Sequence, residues 1–221
     1  MSLFEELTVY HDSEERSAAL NMALDEALLE SACSSAIRFY RWGHAALSFG
    51  YFGSFADVAK EEAHRDLVRR WTGGGIVLHG KDLTYALVIP ASDHAVVRSP
   101  ASVYSEVHAA IRDVLRQNGT RAALLEIAMP KISEACFANP VPADVLVHGK
   151  KVAGAAQRRT GKGLLQQGSI QHSDLSDDFG KKVAWILSAR VKEEELTPDL
   201  VFRAREIARQ KYETRGWLER R

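Results

Sequence analysis

Apolar positions recur along this chain in two rhythms, a period of two in short blocks and a period near 3.6 in longer ones. Residues 3–9 read as a first strand. In "DSEERSAALNMALDEALLES", Leu20, Leu24, Ala27 and Leu28 recur at helical spacing, and Asp12 with Glu15 fits a capping box at its start. "AIRFYRW" (36–42) and "ALSFGYFG" (46–53) are aromatic-rich and strand-like, and "FADVAKEEAHR" is a short helix. "DLVRRW", "GIVLH" and "LTYALVIP" are three further strands broken by glycines. Ser99 and Pro100 open a helix as N-cap and first helical residue, Val103, Val107, Ala110 and Val114 line its apolar face, and Gly119 closes it. "RAALLEIA" is strand-like. Residues 129–142, "MPKISEACFANPVP", have no period and carry three prolines, which marks a functional or disordered connection. "ADVLV" and "KVAGAAQRR" flank His148-Gly149-Lys150 as a hairpin, "GKG" turns the chain into "LLQQGSIQH", and two helices follow near 176–188 and 198–215, the second capped by Thr197 with Pro198 behind it. Hairpin patterns outnumber βαβ patterns. The expected fold is therefore α+β, a mixed, mainly antiparallel sheet with packed helices, in one domain over 1–221 without a separate accessory C-terminal domain.

Composition narrows the classes. The 221 residues are 46% hydrophobic and 26% charged, an ordinary globular balance. Lys plus Arg and Asp plus Glu both number 29, so no basic field points to nucleic acid or to an anionic membrane. No apolar run approaches the roughly 20 residues of a membrane span, and the acidic start "MSLFEELTVYHDSEERS" lacks a signal-peptide core. Two cysteines, Cys33 and Cys136, make no disulfide framework, and a cytoplasmic setting is expected.

The candidate chemistry begins at "RRWTGGGIVLH". Three readings compete for its glycines. Gly73–Gly75 can be the tight turn of a hairpin between "DLVRRW" and "GIVLH". Gly75 to Lys81 spells the start of a phosphate-binding loop, but Asp82 stands where Ser or Thr must hold magnesium, and "IVLH" is strand-like. The third reading is an anion cradle of backbone N–H groups, with Arg69 or Arg70 adding fork-like donors. Strand alternation lets only one of the two arginines face such a site, the other being a solvated partner.

"RRWTGGGIVLH", "DLTYALVIP", "GKKVAGAAQRR" and "LLQQGSI" together resemble the successive motifs of the lipoate-protein ligase, octanoyltransferase and biotin-protein ligase superfamily, in the family's order and over about residues 15–190. The resemblance implies a mixed sheet with helices and the attachment of lipoyl, octanoyl or biotinyl groups to a lysine of small carrier domains. It implies that Arg70, Gly73, Gly74, Gly75 and His79 wrap the acyl carboxyl region. Lys151 falls at the lysine that contacts the reacting carbonyl, where a fixed cation stabilises a developing oxyanion. Gly154 belongs to the same hairpin motif, and Gly168 and Ser169 occupy the acyl-pocket strand.

Within the superfamily, ligases consume ATP to make an acyl-adenylate, and transferases take an acyl thioester from acyl carrier protein. Cys136 in "EACFANP" lies where one transferase branch carries its cysteine nucleophile, and a nearby Lys151 would favour the thiolate. The alternative for Cys136 is a buried structural thiol, which is also the expectation for Cys33. Gln167 stands at the histidine of the transferases' LQHGS pattern, and Ala143 precedes Asp144 where ligases carry Asn-Asp. The expected activity is cysteine-dependent octanoyl (or lipoyl) transfer. Acyl carrier protein is the expected donor, and the lipoyl domains of 2-oxoacid dehydrogenases or glycine cleavage H protein are the acceptors. No cofactor and no metal are then required. The alternatives are an ATP- and Mg-dependent lipoate ligase using Lys151, and a non-catalytic module that binds lipoyl domains.

Overall fold

The computed structural model describes residues 2–127, 139–172 and 175–220. Among them eleven strands form two sheets: β1 (Leu7–Asp12), β2 (Ala36–Tyr40), β3 (Ala46–Phe49), β4 (Asp66–Arg69), β5 (Val77–His79), β6 (Leu83–Pro90), β7 (Ala122–Leu124), β8 (Val145–Val147), β9 (Lys150–Thr160), β10 (Gly163–Ile170) and β11 (Val191–Glu194). The large sheet has the order β11-β1-β2-β6-β10-β9-β8-β7, and the small one is β4-β3-β5. Only β11-β1 and β1-β2 pair in parallel in the large sheet, so it is mixed and mainly antiparallel, as expected.

The helices are α1 (Ala18–Ser31), α2 (Pro100–Gln117), α3 (Phe179–Leu187), α4 (Pro198–Ile207) and α5 (Arg215–Leu218). The caps of α2 and α4 are those read from the sequence: Ser99 and Thr197 accept the N–H groups of Ser102 and Leu200, each followed by proline. The α1 cap differs. Ser17 accepts from Leu20 N, while Asp12 ends β1 and binds Arg16 and Arg38. A buried arginine is a stronger claimant on a carboxylate than an exposed helix end.

Other boundaries also moved. The segment "FADVAKEEAHR" is two short 3₁₀ turns rather than a helix. The last helix breaks after a π-helical turn at Ala208–Tyr212 and restarts with Thr214 as N-cap. β11, charged and at the sheet edge, carries no apolar period and was not expected.

Alternation along the strands separates two buried layers. Ile37, Phe39, Tyr85, Leu87 and Ile89 face one side of the large sheet, where α2 and α3 complete the main apolar core. Arg38, Tyr40, Thr84, Ala86, Gln167 and Ser169 face the other, beneath α1 and the small sheet.

Candidate functional site

The glycine segment is not a hairpin. β3 lies between β4 and β5, so Gly73–Gly75 cross over the end of β3 rather than joining neighbours. The crossing is close-packed: a Cβ on Gly50 would lie 2.0 Å from Gly74 O and 2.7 Å from Gly73 C. Gly74 has φ +84, and a Cβ there would meet Arg70 Nη2 at 3.2 Å and Ala156 Cβ at 3.3 Å. Glycine is thus required at two places for two reasons, the close approach of another backbone at Gly50 and a positive φ at Gly74.

Both arginines of the motif are buried, which corrects the expectation of a solvated partner. Arg69 turns away from the glycine loop and binds carbonyls alone. Its donors reach Trp217 O (3.0 Å), Leu218 O (2.8 Å) and Arg220 O (2.9 Å) in the C-terminal turn, and Tyr51 O (3.0 Å) and Gly53 O (2.6 Å) after β3. Arg70 turns into the site. It donates to Ser48 Oγ (2.7 Å), Gly73 O (3.0 Å) and Gly75 O (2.8 Å), clamping the glycine loop onto β3.

From Ser48 the hydrogen bonds continue inward. Ser48 Oγ lies 2.7 Å from His79 Nε2, and His79 Nδ1 lies 2.8 Å from Asp82 Oδ2. Asp82 also accepts from Thr84 Oγ1 (3.0 Å), Ser169 Oγ (2.7 Å) and Gly80 N (3.1 Å). Burial raises the Asp82 pKa, but the bonds from His79, Ser169 and Gly80 outweigh it and leave the carboxyl below its usual range. Burial lowers the His79 pKa, against the pull of Asp82, with the positive charge of Arg70 adding to the drop. A neutral imidazole beside a carboxylate carries its proton on Nδ1, so Nε2 accepts the Ser48 hydroxyl proton. Trp42 stacks on His79 with ring centroids 4.0 Å apart and donates its N–H to Thr84 Oγ1 (2.7 Å).

Gln167 closes the back wall. Its carbonyl accepts from Thr72 Oγ1 (2.8 Å), and its amide donates to Asp25 Oδ2 (2.7 Å) and lies 3.3 Å from Met22 Sδ. Behind it Arg38, with no exposed surface, binds Asp25 (2.8 Å) and Asp12 (2.6 Å). These walls enclose a pocket lined by Met22, Tyr40, Trp42, Ser48, Arg70, Val77, His79, Thr84, Gly154–Ala156 and Gln167–Ser169. Its empty volume is ≈ 390 Å³ including the part open to solvent, and the walls leave it narrow.

Lys151 reaches the same place by an irregularity. His148 (φ 50) and Gly149 (φ 75) make the two-residue turn between β8 and β9. One step along β8, from Val145 to Leu146, then matches two along β9, from Ala153 to Lys151. This β-bulge lets Val152 and Ala153 both enter the apolar core and places Lys151 on the Gly154 side. The lysine stem lies over Gly154, where a Cβ would be 2.3 Å from Lys151 Cε. Its ammonium meets Asp144 Oδ2 at 2.8 Å. Asp144 is fully buried and also accepts from Tyr104 Oη (2.5 Å) and Val141 N (2.7 Å). His108 Nδ1, 2.8 Å from Ala143 O, pins the preceding residue, which has φ 67. Lys150 is exposed.

Of the residues read from the sequence, Arg70, His79, Gly154, Gly168 and Ser169 line this pocket, Gly73–Gly75 pack beside Arg70, and Lys151 lies over Gly154. The Cβ direction of Gly168 points elsewhere, to the Tyr85 ring at 2.2 Å. Cys136 falls outside the described residues. Ser48, Asp82, Thr84 and Trp42 were missed, although a lone polar residue at an alternate position of an apolar strand, as in "LTYALVIP", signals a buried partner.

The lipoyl protein ligase A/B catalytic domain matches residues 17–205, and the chain belongs to that family. It is 34% identical over 200 residues to octanoyltransferase LipM of Brevibacillus brevis, covering 83% of this chain and 72% of that one. It is 35% identical over 201 residues to octanoyltransferase LipM of Bacillus subtilis, covering 82% and 71%. Among solved structures, lipoate-protein ligase A bound with ATP superposes with a TM-score of 0.75 at 22% identity, over 97% of this chain and 98% of that one. A bi-partite lipoate protein ligase with its E2 lipoyl domain from Thermoplasma acidophilum gives a TM-score of 0.67 at 22% identity, over 98% and 96%. These last two likenesses are of fold.

Proposed function

We propose that this protein is an acyltransferase that moves an octanoyl (or lipoyl) group from acyl carrier protein to the lysine of a lipoyl carrier domain, through a thioester on Cys136. The observation that carries the reading is the Lys151 stem lying over Gly154, on the wall of a narrow pocket that suits an alkyl chain. The octanoyltransferase relatives support the octanoyl group, and the lipoyl protein ligase family supports the lipoyl acceptor. Cys136 enters by its position in the segment before the hairpin.

In this reading the Cys136 thiolate attacks the donor thioester carbonyl and the carrier thiol leaves. The acceptor lysine, as the free amine, then attacks the enzyme thioester and Cys136 leaves as thiolate. Exchange between thioesters is nearly balanced, so no nucleotide is needed. Lys151, held by Asp144, stabilises the oxyanion of both tetrahedral intermediates. Arg70 and the Gly73–Gly75 backbone hold the carboxyl end, and His79, Gly168 and Ser169 shape the pocket.

Incubation with octanoyl-acyl carrier protein without ATP is expected to leave a hydroxylamine-labile octanoyl group on Cys136, mapped by mass spectrometry and passed on when a lipoyl domain is added. Lys151→Ala should lose at least about a hundredfold in transfer rate, and Lys150→Ala should be mild. Full activity in Cys136→Ser with strict dependence on ATP, Mg²⁺ and free lipoate would make the protein a ligase. Tight binding of lipoyl domains without any acyl transfer would make it a binding module.

A further inference from the structure

The names of the pocket's lining residues suggest a polar cavity, and their hydrogen bonds say otherwise. The hydroxyl protons of Thr84 and Ser169 both go to Asp82. The Ser48 proton goes to His79 Nε2, and the remaining His79 proton goes to Asp82. The Trp42 N–H goes to Thr84, the Tyr40 hydroxyl to Asp25, and the Gln167 amide to Asp25 and Met22 Sδ. Three buried polar side-chain atoms lack a partner among the described residues, Asn21 Nδ2, His108 Nε2 and Arg158 Nε, and none of these residues lines the pocket. Asp82 and Asp25 act as sinks behind the wall. Each gathers the donors of the residues in front of it, and Arg70, the remaining charged residue of the lining, donates to Ser48 Oγ, Gly73 O and Gly75 O, so the wall beyond Arg70 presents carbon to the lumen.

Resting on the acyl-pocket reading above, we propose that this pocket sorts acyl groups by withholding hydrogen-bond donors: it admits saturated chains and rejects chains that carry a carbonyl oxygen along their length. An oxo group gives up its water on entry and needs a donor in return, and a buried acceptor left unpaired is strongly disfavoured. A methylene needs nothing, and a dithiolane sulfur, a weak acceptor, loses little. A hydroxyl falls between, because Ser169 Oγ can still accept a bond. The enclosed part of the chain is where the rule applies, since Arg70 and Lys151 offer charge only at the carboxyl end.

The test is calorimetric binding of octanoate and 7-oxooctanoate to the full chain, with Thr84→Val as the second arm. Octanoate should bind at least about tenfold more tightly, which is about 1.4 kcal/mol. Valine keeps the shape of Thr84 and removes the acceptor of the Trp42 N–H, so the indole becomes a free donor at the wall. The ratio should then narrow by about threefold or more. Equal affinities in the parent, with octanoate bound, would overturn the sorting rule and leave the acyl pocket standing. A wide parent ratio unchanged in Thr84→Val would also overturn it, because the rejection would not depend on committed donors. If neither acid binds, both the pocket assignment and the rule fall.

Discussion

On one face of the large sheet Ile37, Leu87, Ile89 and Leu164 pack against α2 and α3 as plain hydrocarbon; on the other, Arg38, Tyr40, Thr84, Gln167 and Ser169, from the same strands, are buried too and are all hydrogen-bonded. The apolar face needs only volume and shape, and neighbours can shift to share a loss. The polar face is a chain of obligations, in which removing one member strands another. The pocket lies on the second face, because fixed polar partners hold a wall still better than interchangeable methyl groups do.

The largest effects should come from cutting each face once. Leu87→Ala removes a fully buried side chain and should cost about 2–5 kcal/mol. Arg38→Ala leaves the fully buried Asp25 without its cation and Asp12 with Arg16 alone, and should cost about 3–5 kcal/mol. The two losses differ in pH dependence. Burial already raises the Asp25 pKa, and loss of Arg38 raises it further. A carboxyl whose folded pKa is raised favours the folded state as pH falls, so Arg38→Ala should regain stability from pH 7.5 to 5 relative to Leu87→Ala. Urea unfolding at the two pH values measures this, and parallel losses would erase the distinction between the faces.

His108 on α2 gives a second break. It is fully buried, its Nε2 has no partner among the described residues, and burial lowers its pKa to about 4. A histidine depressed in the folded state contributes stability that is complete above its unfolded value, roughly 6.5. That contribution is lost as pH falls from there toward about 4. It amounts to about 3 kcal/mol at 1.36 kcal/mol per unit. His108→Gln should flatten the fall in unfolding free energy between pH 6.5 and 4.5. His79, lowered in the same direction, will keep part of it.

The same contrast explains what could be read from the chain alone. "LTYALVIP" became a strand with the bounds of its apolar run, and Ser99-Pro100 capped its helix, because these signals are local. The glycine crossover could not be told from a hairpin, because both begin with the same turn residues and only the position of β3, set by long-range pairing, separates them. Arg69 looked like an idle twin of Arg70 because its partners are backbone carbonyls, most of them about 150 positions away, which no side-chain pattern announces. The approach of Lys151 needed a bulge, and a bulge breaks the alternation by which faces are assigned. Residue types at the site were legible, and the hydrogen bonds among them were not.

Two glycines on adjacent strands sharpen the comparison at intermediate size. A Cβ on Gly168 would lie 2.2 Å from the Tyr85 ring, on the hydrocarbon face, where a fixed aromatic cannot yield. Gly168→Ala should therefore cost stability, about 1–3 kcal/mol by overpacking. A Cβ on Gly154 would lie 2.3 Å from Lys151 Cε and 2.6 Å from Nζ, the far end of a flexible side chain. Gly154→Ala should cost little stability and at least about tenfold in transfer rate, because the ammonium moves. Thermal unfolding and a transfer assay on both variants separate the outcomes, and a pair of equal Tm losses would deny Lys151 its place over Gly154.

The smallest effect belongs to Gln167, and it tests whether the polar face depends on residue identity or on the hydrogen bonds made. Gln167 accepts from Thr72 with one end and donates to Asp25 with the other. A neutral histidine has the same pair of functions on its two ring nitrogens, and a leucine of similar bulk has neither. Gln167→His should change unfolding free energy by less than about 1 kcal/mol at pH 8, since both partners keep a bond. Gln167→Leu should cost about 1–3 kcal/mol, the penalty for taking one bond from Asp25 and stranding the Thr72 hydroxyl in a buried wall. Equal losses in the two variants would mean that the shape of glutamine, and not its bonds, holds the back of the pocket. The polar face would then obey the packing rule of the apolar one.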